Sequence, residues 1–228
     1  MKTYEVFLFD ADGTLYDYDL AEANALRTVF EGFGLAYDEN VRARYRAINA
    51  DVWGRYERGE ISKDELQTLR FARLFAECGV CCEIDEFNRK YLSELGKGAH
   101  LIDGAFDICE AIVSRGKSIY IVTNGILATQ EARIKHSRIR DFVAGFFVSE
   151  FVGAQKPDSQ YFEYVFSHIP PVGKDKILIV GDSLTADIAG GNNAGIDACW
   201  FNPSGNENCT NVKPTFEIQR LDELRKMI

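Results

Sequence analysis

From about residue 105 to residue 201, short apolar runs alternate with segments of helical periodicity, and this alternation restricts the chain to few folds. Buried strands are predicted at residues 118–122, 145–148 and 177–180, with the last one at residues 198–201. Helices are predicted at residues 105–115, 126–139, 159–166 and 185–194. Because strands that alternate with helices form parallel sheets through right-handed crossovers, this region predicts an α/β fold.

The N-terminal part of the chain adds one strand and a long helical stretch. Residues 5–9 indicate a short buried strand, whereas residues 20–96 are helical in pattern and contain no strand-like run. Within that stretch, Asp38 and Ser62 are predicted N-caps, and Glu65 completes a capping box with Ser62. We therefore predict a core domain of residues 1–16 and 97–228, with an inserted helical domain of residues 17–96. A single domain with a long helical first crossover is the alternative.

Charge and composition argue against several classes of partner. The 228 residues carry 26 basic and 35 acidic side chains, a net charge of -9, whereas binding to a nucleic acid polymer requires a basic surface. The apolar run Val6–Phe9 is too short for a signal peptide, and no run is long enough to cross a bilayer. We expect a cytoplasmic protein with no membrane partner, a monomer or weak homodimer, and six reduced cysteines.

Two carboxylates follow the first predicted strand, where a parallel sheet places its functional site. Asp10 and Asp12 are costly to bury unless they have a partner, and a divalent cation such as Mg²⁺ is a suitable one. In a phosphoryl transfer, Asp10 can attack phosphorus while Asp12 acts as general acid and then as base. A turn capped by an aspartate before Gly13 is the structural alternative, and this motif alone does not decide between them.

Three further strand ends carry polar residues. They are Thr123-Asn124-Gly125, Lys156-Pro157, and Asp182 with Asp187. The first group offers a hydroxyl and N–H groups to phosphate oxygens, the lysine offers positive charge, and the acids would complete a Mg²⁺ site. Each group alone has a simpler explanation: a helix N-cap, a solvated lysine, or acids that complement a helix dipole. Their occurrence together at successive strand ends favours a single phosphate and metal site.

These motifs resemble those of the haloacid dehalogenase (HAD) superfamily. They are DxDGT at Asp10, TNG at Thr123, KP at Lys156 and GDSxxxD at Asp182, and the match spans the whole chain in the family's order. The resemblance implies a Rossmann-like parallel core, an inserted α-helical cap domain and Mg²⁺ as the cofactor. It also implies that Asp10 is the nucleophile that forms an aspartyl-phosphate and that Asp12 is the acid–base residue.

The same resemblance assigns the binding roles. Mg²⁺ would be held by Asp10, the backbone carbonyl of Asp12 and Asp182, with support from Asp187. The phosphate group would be bound by the Thr123-Asn124-Gly125 turn, and Lys156 would offset its charge. The implied substrate is a small phosphorylated molecule.

A narrower resemblance is to the noncanonical pyrimidine 5′-nucleotidases, which favours a nucleoside monophosphate as the substrate. Its stretches are Trp53, Tyr56-Glu57-Arg58-Gly59, Arg70-Phe71, Ser149-Glu150, Val152-Gly153, Val180 to Ser183, Asp187-Ile188, Gly190-Gly191, Asn193-Ala194-Gly195 and Cys199-Trp200-Phe201-Asn202. An aromatic side chain of the helical domain can stack a nucleobase, although Trp53 and Phe71 at helical positions are more often core residues.

Other interpretations of the sequence stay open. Phosphoglycolate or a sugar phosphate is an alternative substrate for the same chemistry. A 2-haloacid dehalogenase is disfavoured because those enzymes have no acid at the position of Asp12, and a phosphonatase because no lysine of the helical domain is marked for a Schiff base. A non-enzymatic binding module is disfavoured because Asp10, Asp12, Lys156 and Asp182 are all present.

Overall fold

The chain divides into two compact units. A computed structural model describes residues 2–228. The first unit comprises Met1–Tyr18 and Ala99–Ile228, and the second comprises Asp19–Gly98. The chain therefore leaves the first unit after its first strand and re-enters it about 80 residues later.

The second unit is helical. Its helices are α1 (Tyr18–Gly32), α2 (Glu39–Glu57), α3 (Lys63–Cys78) and α4 (Ile84–Lys97). Both predicted N-caps are confirmed: Asp38 accepts a hydrogen bond from the Val41 N–H, and Ser62 forms a capping box with Glu65. These caps satisfy N–H groups that the first turn of a helix leaves without a partner.

Aromatic rings form the centre of this helical unit. Phe71 of α3 is inaccessible to solvent, with ring centroids 5.0 Å from Phe87 and 5.1 Å from Tyr91. It is therefore a core residue and is not available to stack a ligand. Trp53 is half-buried and makes an edge contact with Tyr56, at 5.7 Å between centroids.

The first unit is built on a six-stranded parallel sheet. Its strands are β1 (Val6–Phe9), β2 (Ser118–Thr123), β3 (Val143–Val148), β4 (Ile177–Gly181), β5 (Asp197–Phe201) and β6 (Phe216–Ile218). The strand order is β3-β2-β1-β4-β5-β6, so β1 lies between β2 and β4 and pairs with both. The predicted parallel α/β fold is confirmed, and the carboxyl ends of β1, β2 and β4 lie side by side.

Helices cover this sheet on both faces. They are α5 (Ala105–Ser114), α6 (Leu127–His136), α7 (Ser149–Val152), α8 (Ser159–Ser167) and α9 (Ala189–Ala194). Successive side chains of β1 enter two separate cores: Phe7 and Phe9 join one, and Val6 and Leu8 join the other. This explains why β1 is apolar at every position, since a strand buried on both faces shows no alternation. No helix within residues 2–228 is long and apolar enough to span a bilayer.

Three sequence predictions require correction. The predicted strand at residues 198–201, observed as β5, is not the last one, because β6 follows it. Strand β6 is only three residues long and partly exposed, so its sequence gives little periodic signal. Helix α6 ends at His136, three residues before the predicted end at residue 139, because Ser137 has an extended backbone. Residues 184–188 form a single π-helical turn, and α9 begins only at Ala189, with Gly195 as its left-handed C-cap.

Candidate active site

The site lies at the carboxyl ends of β1, β2 and β4. Asp10 follows β1 directly, and its backbone N–H donates to the Val180 carbonyl at 2.9 Å, which extends the β1–β4 pairing by one residue. The residue is 8% exposed. Its carboxylate is therefore fixed at the sheet edge by backbone pairing, as the position of the DxD motif predicted.

Lys156 connects three parts of this edge. Its Nζ donates to Asp10 Oδ1 at 2.6 Å, to Asp187 Oδ1 at 2.6 Å and to the Val122 carbonyl at 2.7 Å. Burial alone lowers the pKa of Lys156, but the carboxylates of Asp10 and Asp187 outweigh it and hold this pKa above its ordinary value. The side chain is thus a permanent, fully buried cation, and it is not the solvated surface lysine that the alternative interpretation required.

Asn124 fixes the backbone of Lys156. The amide Nδ2 of Asn124 donates to the Lys156 carbonyl and its Oδ1 accepts from the Lys156 N–H, both at 2.9 Å. The Asn124 side chain therefore sets the position of the lysine, a role that the sequence did not indicate. In the same turn, the Gly125 N–H donates to Thr123 Oγ1 at 3.0 Å. The peptide bond between Lys156 and Pro157 is cis.

Three acids converge next to Lys156. One carboxylate oxygen from each of Asp10, Asp182 and Asp187 lies within 4.8 Å of the others. Asp187 is buried and also accepts from the Ser183 N–H at 3.1 Å. The residue Asp182 keeps part of its surface exposed, but its carboxylate lies inside the cluster, where Oδ1 accepts from Thr14 Oγ1 at 3.4 Å. Asp182 is positioned by its own backbone carbonyl, which accepts from Trp200 Nε1 at 2.9 Å. Together these acids offer three carboxylate oxygens as metal ligands, one from the residue after β1 and two from residues after β4.

The charge balance of this cluster is unfavourable without a further cation. Burial raises the pKa of Asp10 to about 6, although the charge of Lys156 opposes the shift. Desolvation and the negative charges of Asp10 and Asp187 raise the pKa of Asp182 well above its ordinary value. One lysine thus faces three carboxylates, and the negative charge of Asp187 disfavours the ionisation of both Asp10 and Asp182. Oxygen donors with excess negative charge suit a hard divalent cation, so the residues fit Mg²⁺.

Two glycines allow the acids to approach the backbone. Gly13 has φ of 82°, and a Cβ there would lie 2.6 Å from Asp182 Oδ2. At Gly181 a Cβ would lie 2.2 Å from Asp187 Cγ. Any side chain at either position would displace an acid, which explains both the glycine of DxDGT and the glycine of GDS.

The carboxylate of Asp12 belongs to a different group from the three acids. Its Oδ2 accepts from Gln130 Nε2 at 2.5 Å, and its Oδ1 forms an ion pair with Arg133 Nη1. Both partners lie on α6, and Arg133 is inaccessible to solvent. Burial lowers the pKa of Arg133 to about 10, partly offset by Asp10, so the guanidinium stays charged at neutral pH.

Sequence reasoning missed Gln130 and Arg133, because their burial is visible only in the structure. Thr129, Gln130 and Arg133 are the buried residues of α6, and all three are polar. A helix that packs against a sheet ordinarily buries an apolar stripe. A polar stripe in that position indicates a helix that faces a polar site.

Comparison with known proteins decides the family. The sequence profile of the haloacid dehalogenase-like hydrolases matches residues 4–195. The chain belongs to this family of hydrolases. The predicted superfamily and the enzymatic nature of the protein are thereby confirmed.

Relatives within this family span the full chain. The HAD-hydrolase YfnB of Bacillus subtilis is 42% identical over 224 residues, which are 98% of this chain and 95% of YfnB. The pyrimidine 5′-nucleotidase PynA of Streptococcus pneumoniae is 38% identical over 97% of this chain and 93% of its own. The pyrimidine 5′-nucleotidase YjjG of Escherichia coli is 29% identical, with coverage of 99% and 98%.

A solved structure of the first relative matches in three dimensions. The crystal structure of YfnB bound to magnesium has a TM-score of 0.91 to this chain at 41% identity, and it covers 99% of this chain and 98% of that one. That crystal form reveals interdomain movement in YfnB.

Proposed function

We propose that this hydrolase is a Mg²⁺-dependent phosphatase that cleaves pyrimidine nucleoside 5′-monophosphates through an aspartyl-phosphate at Asp10. The observation that carries the proposal is the arrangement around Lys156. Its ammonium joins Asp10 to Asp187, while Asp182 lies within 4.8 Å of both carboxylates. A nucleophile, a fixed cation and a set of metal donors thus share one sheet edge.

Asp10 is the nucleophile in this mechanism. Its carboxylate oxygen attacks phosphorus, the bond from phosphorus to the ester oxygen breaks, and the proton of Asp12 passes to the leaving alcohol. Asp12 then takes a proton from water, whose oxygen attacks phosphorus and breaks its bond to Asp10, which releases inorganic phosphate. Both steps require the Asp12 carboxyl group to reach the leaving oxygen and the water.

The remaining residues neutralise charge and hold the phosphate. Asp10, Asp182, Asp187 and the backbone carbonyl of Asp12 would hold Mg²⁺, which would offset negative charge on the transferred group. Lys156 contributes a second positive charge, held in place by Asn124. The Thr123 hydroxyl and the Asn124 backbone N–H bind phosphate oxygens, and Gly125 shapes this turn by donating its own N–H to Thr123 Oγ1. Phosphoryl transfer depends mainly on such positioning and neutralisation.

The substrate class rests on the relatives. PynA and YjjG are named pyrimidine 5′-nucleotidases and match nearly the full chain. We assign the helical unit, residues 17–96 in the sequence-based division, the role of a cap that excludes water during the reaction. Interdomain movement in YfnB supports this role. Within the unit, the half-buried Trp53 and its neighbour Tyr56 are the candidate surface for a base.

The test is phosphate release from UMP, dUMP, dTMP, AMP, phosphoglycolate and sugar phosphates, with Mg²⁺ and with EDTA. Asp10→Asn is the test variant, and Asp107→Asn, an exposed aspartate of α5, is the matched control. We expect release only with Mg²⁺, fastest from the pyrimidine nucleotides, abolished by Asp10→Asn and retained by Asp107→Asn. A preference for phosphoglycolate or a sugar phosphate would refute the substrate class and leave the chemistry standing. Absence of release from every ester would refute the phosphatase.

A further inference from the structure

The loop that carries Lys156, residues 153–158, is held by its backbone from two sides. On one side, the Asn124 amide donates to the Lys156 carbonyl and accepts from the Lys156 N–H, both at 2.9 Å. On the other side, Asn193 Nδ2 donates to the Pro157 carbonyl at 3.1 Å. Asn124 follows β2, and Asn193 lies in α9, which comes after β4. Three consecutive peptide groups of the loop are therefore fixed to elements that follow two different strands.

Helix α9 lies directly against this loop. A Cβ at Gly190 would lie 3.4 Å from Pro157 Cα and 2.6 Å from Phe162 Cε2, an atom of α8. Any side chain at Gly190 would therefore force α9 away from α8 and from the loop. Gly190 is three positions before Asn193, so the two residues lie on the same face of the helix. The close approach at Gly190 and the hydrogen bond of Asn193 thus belong to one contact between α9 and the loop.

The ammonium group of Lys156 contacts the same two regions as its backbone. Its Nζ donates to the Val122 carbonyl in β2 and to Asp187, which lies in the π-helical turn directly before α9. Its third acceptor is Asp10, after β1. A lysine side chain is a flexible four-carbon stem, so three simultaneous short contacts require a backbone that is fixed at a defined point. Movement of the loop would displace the ammonium group from Asp10.

We propose that Asn193 and Asn124 are positioning residues that act through Lys156. They hold its backbone so that its ammonium group stays between Asp10 and Asp187. This role depends on the proposed function of Lys156, and Asn193 lies outside the four catalytic motifs of the sequence. Misplacement of a catalytic group by about 1 Å costs up to about 100-fold in rate. Loss of one restraint on the loop causes a smaller displacement, so we expect a loss of about tenfold.

Asn192 provides a matched control for Asn193. It is the preceding residue of α9, it is also exposed, and its Nδ2 donates to the Lys213 carbonyl at 3.1 Å. Replacement of either asparagine by alanine removes one amide from the same helix and one hydrogen bond of the same length to a backbone carbonyl. The two variants should therefore lose similar stability, whereas only Asn193→Ala loses a contact with the loop of Lys156.

Asn202 provides the corresponding control for Asn124. It is also buried, and its amide makes the same pair of bonds at 2.9 Å, by donating to the Asn206 carbonyl and accepting from the Asn206 N–H. Because Asn202 also donates to Glu217 Oε1 at 2.8 Å, Asn202→Ala should reduce stability at least as much as Asn124→Ala. A loss of activity in Asn124→Ala alone could then not be attributed to instability.

The experiment measures kcat and KM for UMP and for p-nitrophenyl phosphate in these alanine variants. All measurements use saturating Mg²⁺ and a temperature well below the Tm of each variant, so that unfolding does not contribute. We expect Asn193→Ala and Asn124→Ala to lower kcat about tenfold and to leave KM nearly unchanged, because a displaced nucleophile slows the chemical step. Asn192→Ala and Asn202→Ala should keep the kcat of the wild-type protein.

Rescue separates a positioning role from a loss of packing. Asn193→Gln keeps an amide donor at this exposed position and should recover part of the lost kcat. Wild-type kcat in Asn193→Ala or in Asn124→Ala would overturn the inference, as would equal losses in the two controls. Should Asn124→Ala fail to fold, the exposed pair on α9 decides the question. Failure of the proposed function is visible separately, since the wild-type protein would then hydrolyse neither ester, or Asp10→Asn would keep its activity.

Discussion

Lys156 and Asp187 form an ion pair in the interior of the protein, with 2.6 Å between Nζ and Oδ1 and with side-chain exposures of 2% and 1%. The same ammonium binds Asp10, so one cation holds the carboxylate that follows β1 against an acid that follows β4. Substitution of Lys156 would therefore remove a buried ion pair of the fold and, at the same time, a positive charge of the proposed active site.

Replacement of Lys156 by methionine should therefore reduce both activity and stability. It leaves Asp10 and Asp187 buried without their cation, and the loss of one partner from a buried pair costs about 3–5 kcal/mol. We expect phosphate release to fall to the level of Asp10→Asn, and the free energy of unfolding in urea to fall by an amount in that range. Lys174→Met, at an exposed lysine that donates to the Ala194 carbonyl, is the control. A stable, active Lys156→Met protein would contradict the assigned role.

Magnesium should stabilise the protein more at neutral than at acidic pH. The pKa of Asp10 is raised from 3.8 to about 6 by burial, so the folded state binds a proton that the unfolded chain releases between these values. Its contribution to the free energy of unfolding consequently falls as the pH rises through this window. A metal ion binds the deprotonated acids and offsets that loss.

The measurement is the Tm of the wild-type protein with EDTA and with Mg²⁺, at about pH 5 and about pH 7.5. We expect a larger increase in Tm with Mg²⁺ at the higher pH, and no increase at either pH for Asp182→Asn with Asp187→Asn. Sodium chloride at equal ionic strength is the control for screening. Equal increases at both pH values would contradict the acid cluster as the Mg²⁺ site.

Replacement of Gly13 by alanine should abolish phosphate release but should reduce the free energy of unfolding only slightly. Its φ of 82° is unfavourable for any other residue, and the new Cβ would also meet Asp182 Oδ2 at 2.6 Å. Gly116→Ala is a matched control, because Gly116 has φ of 72° with no atom within 4 Å of a Cβ. Both variants should lose about 1 kcal/mol of stability from backbone strain. Only Gly13→Ala should lose Mg²⁺-dependent phosphate release; equal activity of the two would disprove the contact argument.

Replacement of Trp200 by phenylalanine should weaken Mg²⁺ binding. The variant lacks the indole N–H that donates to the Asp182 carbonyl, so one of the restraints on Asp182 is lost. We expect a reduction of about 1 kcal/mol in the free energy of unfolding. The Mg²⁺ concentration for half-maximal activity should rise severalfold, while kcat at saturating Mg²⁺ changes little. An unchanged half-maximal concentration would show that Trp200 does not position the acid.

The sequence predicted the parts of the site that follow directly from the sheet. Asp10 follows β1 and Asp182 follows β4, and since parallel strands carry their functional residues at one edge of the sheet, the sequence predicted these acids on the same edge. The strand order that places β1 beside β4 comes from the structure. Both strands are uninterrupted apolar runs, the pattern of strands that are buried on both faces. The roles of these residues in catalysis and metal binding stay proposals, which the experiments above test.

Other features depend on tertiary contacts that no local pattern reports. The π-helical turn at residues 184–188 directs Asp187 toward Lys156, yet its sequence resembles an ordinary first helical turn. The two hydrogen bonds between Asn124 and Lys156 join residues that are 32 positions apart in the sequence. The burial of Arg133 was not predicted, because arginine on a helix is ordinarily exposed and only the position of the sheet places it inside.

The central position of β1 has a consequence for synthesis on the ribosome. Asp10 is made well before its partners, since Lys156 follows it by 146 positions and Asp187 comes later still. A nascent chain that carries β1 therefore exposes this strand without either neighbour until the helical unit and β2 have been made. Because Asp182 and Asp187 both follow β4, no nascent chain that ends before Asp187 can assemble the acid cluster. The cluster around Lys156 thus forms in one late event, when β4 pairs with the first strand.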